Sequence, residues 1–194
     1  MDNQTNIEKL ISSGKKVFTT DDLAIIWGVS DRKKLIGRIK YYLRQQRLIH
    51  IYKGLYAYGE YTPLDIAQKL VPMSYLSLYT TSQMHGLTFQ YYSTIFCISL
   101  KSKKYNVDGQ KYEYRKVKDA IFYNDLGLMQ EEGHTIANKE RTICDLLYVF
   151  PGFAFDNIKS VDIEMLHKIA TIYDNKRLQK DVSKIIKIIE SNEE

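Results

Sequence analysis

Between Arg32 and Arg47 the chain carries seven basic side chains and no acidic one. Lys33, Gly37, Lys40 and Arg44 follow the i, i+4, i+7, i+11 spacing of one stripe along an α-helix. Arg32 and Lys34 stand at the start of that helix, and Tyr41 falls in the same arc. Lys53 follows in a Lys53-Gly54 turn. A stripe of one sign neutralises phosphates, while residues at the helix start, Ser30 among them, reach base edges. A charged helix face is usually just solvated. The single sign and the surrounding turn chemistry favour a polyanion partner instead. Gly37 in mid-helix costs ~1 kcal/mol relative to alanine. Close approach of a DNA backbone explains it, and so does tight packing against another helix.

The elements around the stripe give it a setting. Residues 3–14 read as a first helix with Ile7, Leu10 and Ile11 on one face. Val17 and Phe18 suit a short strand. Thr20 is a suitable N-cap for a second helix that buries Leu23, Ile25, Ile26 and Trp27. Gly28-Val29-Ser30 forms the turn, and Ser30 can cap the third helix, from about Asp31 to Gln46. The LIHIY and LYAY segments then flank Lys53-Gly54 as a hairpin. Alternation puts Ile49, Ile51, Leu55 and Ala57 on one of its faces and His50, Tyr52, Tyr56 and Tyr58 on the other. This order predicts a winged helix-turn-helix over residues 1–60, with the third helix in the DNA major groove.

Charge follows the same division. Residues 1–60 hold eleven Lys/Arg against six Asp/Glu, while residues 61–194 hold seventeen of each, so the whole net charge of +5 resides in the first third. Gly59 to Thr62 reads as a linker, and Thr62-Pro63 opens a helix that ends before Pro72. Residues 74–85 read as a further helix. Strands are expected near 93–100, 111–117, 120–125 and 133–137, with Val107-Asp108-Gly109 as a turn. Asn138 caps a helix through about Tyr148, and amphipathic helices follow near 161–173 and 176–190. The fold class is therefore α+β: the N-terminal module, then a mixed α+β domain over 61–194 that ends in helices.

Other residue types offer little chemistry. His50, His85, His134 and His167 lie outside metal-ligand spacing of one another and of Cys97 and Cys144, so structural roles are expected. Asp108 and Glu113, followed by Arg115 and Lys116, weakly resemble a metal-dependent nuclease centre, but alternation separates Glu113 from Lys116. Glu140 and Asp145 could serve as acids, although nothing basic or metal-binding surrounds them in sequence. Arg141 and Asp145 are expected to pair on the surface of their helix. The aromatic run Phe89-Gln90-Tyr91-Tyr92 is read as core and strand entry. No catalytic residue, metal or cofactor is assigned, and the chain is read as no enzyme. The polar start MDNQTNIEKLI, the lack of an apolar run near ~20 residues and the two apolar-flanked cysteines predict a cytoplasmic protein with buried thiols and no membrane contact.

Four segments in order carry a family resemblance: the basic module ending in RLIHIYKGLYAYG; PLDIAQKLVPMSYLSLYTTSQMHGLT; the paired-strand region with Gly109 and Tyr112-Glu113-Tyr114; and TIANKERTICDLLY. Over residues 15–150 the chain resembles the AbiEi antitoxins of bacterial abortive-infection, type IV toxin–antitoxin systems. The resemblance implies a repressor of its own operon that binds inverted repeats in double-stranded operator DNA. It also implies a neighbouring nucleotidyltransferase-type toxin, opposed without a stable complex. The residues it carries over are the basic residues of the third helix and Lys53. The alternative reading is a plain winged-helix regulator whose C-terminal domain binds a ligand or dimerises.

Overall fold

The computed structural model describes residues 5–191, so the expected helix residues 3 and 4 lie outside the described residues. The chain divides into two compact units, 1–70 and 71–194.

In the first unit, α1 (Asn6–Ser12) is capped by Thr5 in a reciprocal box with Glu8. β1 (Val17–Thr19) leads into α2 (Thr20–Trp27). The cap is Thr19 and not Thr20: its hydroxyl accepts from Asp22 N–H at 3.0 Å while the Asp22 carboxylate accepts from Thr19 N–H at 2.9 Å. Gly28 ends α2, and α3 (Arg32–Arg44) begins at Asp31. The Asp31 carboxylate takes the N–H groups of Lys33 and Lys34, which displaces Ser30 from the expected capping role. β2 (Ile49–Tyr52) and β3 (Leu55–Ala57) pair antiparallel, and β1 joins on the other edge of β3. A register shift between His50 and Tyr52 breaks the expected alternation, leaving Ile49 exposed. Leu10, Phe18, Leu23, Trp27, Leu35 and Ile39 form the core, whereas Ile25, expected inside, is 80% exposed.

The proline-led helix α4 (Pro63–Leu70) belongs to this unit, which therefore extends ten residues past the expected boundary at residue 60. It packs against β1, and Lys69 Nζ reaches the α2 capping carboxylate of Asp22 at 2.7 Å. Burial alone would raise the Asp22 carboxyl. Lys69 and the Thr19 bonds outweigh it and hold the group below its ordinary value.

The second unit is a six-stranded mixed sheet, ordered β6-β7-β5-β4-β9-β8, with helices packed on it. Its strands are β4 (Tyr75–Leu76), β5 (Ile95–Ser99), β6 (Lys103–Val107), β7 (Gln110–Lys116), β8 (Leu128–Glu131) and β9 (His134–Ala137). Two pairings, β5–β7 and β4–β9, are parallel, and the rest are antiparallel. The helices are α5 (Tyr79–Met84), the single turn α6 (Asp119–Phe122), α7 (Lys139–Val149), α8 (Ile163–Ile172) and α9 (Lys176–Ser191).

The segment 74–85 is not one helix. Tyr75 and Leu76 ladder with Ile98 and Cys97, and Leu78, at φ 59°, turns the chain before α5. The 120–125 segment is not a strand: α6 ends at Phe122, and the carbonyls of Ile121 and Asn124 turn to the Arg141 guanidinium instead of a ladder. The strands β6 and β8 had no separate sequence expectation. Asn138 caps α7 as expected, accepting from Arg141 N–H at 2.8 Å.

Because the Asp22 value is depressed in the fold, its pairing stabilises fully above the ordinary carboxylate range and fades as pH falls through the lowered value. Lys69→Met should cost up to about 1 kcal/mol at neutral pH, with the difference from wild type shrinking in acid. Urea melts at pH 7 and pH 3 measure this. Fragment 1–70 should also melt higher than fragment 1–60, which loses α4. Equal melting temperatures would return the boundary to the 59–62 segment.

Candidate nucleic-acid interface

Helix α3 buries Leu35 and Ile39 and turns its opposite arc outward. Ser30, Arg32, Lys33, Lys34, Gly37, Lys40, Tyr41, Arg44 and Lys53 are all exposed. Eight of them lie on α3 or the turn before it, and Lys53 lies in the β2–β3 turn. The amide and hydroxyl of Thr20 both donate to the Gly54 carbonyl, at 3.0 and 3.4 Å, so that turn is tied to the start of α2. Among the described residues, none of the six cations Arg32, Lys33, Lys34, Lys40, Arg44 and Lys53 has a salt-bridge partner. Lone cations of one sign repel each other where they lie close together, as Lys33, Lys40 and Arg44 do along one stripe of α3, and an acidic partner relieves that repulsion.

Gly37 has no heavy atom within 4 Å of where a Cβ would stand. Packing against another helix of this unit is thus not the reason for it. Tyr41 is exposed with its ring edge against Tyr42, which in turn packs on Trp27 at 5.5 Å. Arg38, on the inner side of the stripe, points to the Asn6 side chain at 3.5 Å.

The remaining candidates separate sharply. Asp108 sits in a turn at φ 56°, and the Glu113 carboxylate is held by Arg115 at 2.7 Å and Lys104 at 3.1 Å. No three His, Cys, Asp or Glu side chains gather as metal ligands among the described residues. His85 meets the Ala137 carbonyl at 2.8 Å, and both cysteines are buried, with burial raising their thiols. Phe89 and Tyr91 are 79% and 81% exposed, against the core reading, while Tyr92 packs on Tyr79 at 4.2 Å. No helix among the described residues is long and apolar enough to cross a membrane.

Arg141 and Asp145 do not pair on the helix surface as expected. Both side chains are 0% exposed, in the interior and not on the helix surface. Arg141 donates to the carbonyls of Ile121, Asn124 and Leu126 and to the Tyr75 hydroxyl. Asp145 accepts from the hydroxyls of Tyr75 at 3.2 Å, Ser77 at 2.6 Å and Tyr173 at 2.7 Å. The direct contact is only 3.7 Å, so Tyr75, bonded to both, is the closer link. Burial pushes the Asp145 carboxyl above its ordinary value, against Arg141 and the three hydroxyls. Glu140 accepts the Asp162 N–H at the start of α8. These acids are occupied by structural partners.

No protein-family model matches this chain, and comparison with curated proteins likewise finds no match.

Removing one member of a buried pair strands the other charge. Arg141→Met or Asp145→Leu alone should each cost about 3–5 kcal/mol. The double variant should cost less than the sum, because no charge is left unpaired. Denaturant melts of the four proteins give the coupling. Simple additivity would mean that the two groups act independently.

Proposed function

We propose that the chain is a DNA-binding antitoxin. In this reading the first unit is a winged helix-turn-helix with α3 in the major groove and the β2–β3 hairpin as the wing. The observation that carries DNA binding is the set of six exposed cations without ion-pair partners on α3 and the hairpin turn. Lys33, Lys40 and Arg44 neutralise phosphates, and Ser30 and the first turn of α3 meet base edges. The partner is double-stranded operator DNA with inverted repeats, and the outcome is repression of the chain's own operon.

The antitoxin role rests on the resemblance of residues 15–150 to the AbiEi family. It assigns the second unit to opposing a neighbouring nucleotidyltransferase-type toxin without a stable complex. In this reading the protein acts in the cytoplasm, is not an enzyme and needs no cofactor. A plain regulator remains the competing reading, and the second unit's own fold gives it room for a separate task in either case.

The test of DNA binding is anisotropy across a salt series with promoter-proximal DNA. The Lys33→Ala, Lys40→Ala, Arg44→Ala protein should lose about 0.9 of log–log slope for each residue removed. An unchanged slope would remove α3 from the interface. Gly37→Ala should raise thermal stability, by up to ~1 kcal/mol, yet weaken DNA binding if the backbone approaches there. Stronger or equal binding would assign Gly37 no part in contact. For the antitoxin role, the full chain expressed from an unrelated promoter should rescue cells from the neighbouring toxin, and fragment 1–70 should not. Full rescue by 1–70, or failure of the whole chain, would favour the plain regulator.

A further inference from the structure

The charge balance of the second unit hides a local excess. At the end of β7 and the start of α9 there is an open cleft of about 610 Å³, lined by Ser102, Arg115, Lys116, Tyr148, Asn175 and Arg177. An adjoining hollow shares Lys116 and Tyr148 and adds Lys118 with Asp119. The volume lies in the range of small-molecule sites.

The polar groups of the cleft have their acceptors occupied and donors left over. The Asn175 side-chain oxygen caps α9 by accepting from Leu178 N–H at 3.1 Å, which leaves its NH₂ to donate. The Ser102 oxygen accepts from Lys116 N–H at 3.2 Å, which leaves its O–H. One Arg177 nitrogen, Nη2, donates to the Leu147 and Tyr148 carbonyls, both at 3.1 Å. That anchors the guanidinium and leaves Nη1 and Nε to donate elsewhere. Arg115 is balanced by Glu113 at 2.7 Å and stacks over Phe150 at 5.3 Å. Lys116 is exposed and has no salt-bridge partner among the described residues. Two uncompensated cations thus stand beside donor groups. The half-buried Tyr148, whose ring packs on Tyr173 at 5.4 Å, is the aromatic residue that lines the cleft.

We propose that this cleft binds a nucleoside diphosphate, with the phosphates on Lys116, Arg177, Asn175 and Ser102 and the base against Tyr148. A diphosphate offers several acceptor oxygens and the opposite charge. A planar base matches the aromatic wall. The site is separate from α3 and uses none of its residues.

Isothermal titration of the full chain with ADP, pyrophosphate and adenosine tests it. ADP should bind, pyrophosphate should bind more weakly, and adenosine should give no heat. Lys116→Glu, an exposed substitution that spares the core, should weaken ADP by about tenfold or more, as loss of one charge-assisted contact. Asn175→Asp should weaken it as well. The Lys33→Ala, Lys40→Ala, Arg44→Ala protein should bind ADP as wild type does. Absence of ADP binding, an unchanged affinity in Lys116→Glu, or loss of binding in the α3 variant would overturn the site. Equal affinity for pyrophosphate and ADP would overturn the nucleotide class.

Discussion

The buried pair Arg141–Asp145 is the constraint around which the second unit is arranged. Two full charges inside a protein are tolerated only when their hydrogen-bonding capacity is met. Arg141 meets most of its own through Nη1 and Nη2, which draw three carbonyls from the chain between Ile121 and Leu126 and the Tyr75 hydroxyl, while its Nε has no hydrogen-bond partner and lies 3.7 Å from the Asp145 carboxylate. Asp145 meets its own with Tyr75 and Ser77, on and just after β4, and with Tyr173 at the end of α8. One turn of α7 therefore fixes a sheet strand, a loop and a neighbouring helix. Gly127 shows how tightly: at φ 80° an added Cβ would meet Arg141 Cβ at 2.8 Å and Ile169 Cδ1 at 2.7 Å. A side chain there would push the loop carbonyls away from the guanidinium.

The first unit manages charge the opposite way. Its core cluster is mainly apolar, and its closest ion pair, Lys69 with Asp22, is half-buried and ties α4 to α2. Arg32, Lys33, Lys34, Lys40 and Arg44 of α3 are left exposed and without ion-pair partners among the described residues. Self-repulsion of this kind is a cost in the isolated chain that a polyanion partner removes, which is why the DNA-binding reading is preferred to a merely solvated face.

Legibility in the sequence followed the range of the interaction. The α3 stripe, the Asn138 cap and the proline-led start of α4 depend on residues three or four apart, and the structure has all three. The outward direction of Lys33, Gly37, Lys40 and Arg44 follows from Leu35 and Ile39 facing in. Failures came where distant partners decide. Arg141 and Asp145 show the same i, i+4 spacing whether a pair is wet or buried, and their deciding partners, Tyr75 and Tyr173, lie 66 and 28 residues away. The AIFYND segment is apolar and aromatic like a strand but yields the carbonyls of Ile121 and Asn124 to Arg141. The 74–85 stretch is expected as a helix, yet β5 claims Tyr75 and Leu76 and β9 also claims Leu76. The basic cleft was invisible for a related reason: Arg115-Lys116 and Arg177 are far apart in sequence, and the surrounding acids cancel them in any count.

The central claim is that α3 and the hairpin turn are the surface that meets DNA. Backbone amide NMR shifts of the full chain, titrated with promoter-proximal duplex, read that surface directly. The account predicts saturable shifts concentrated at Ser30 to Arg44 and at Lys53, with Leu35 and Ile39 amides following their helix. Shifts confined to residues outside the first unit, with the α3 amides unmoved at saturation, would contradict it.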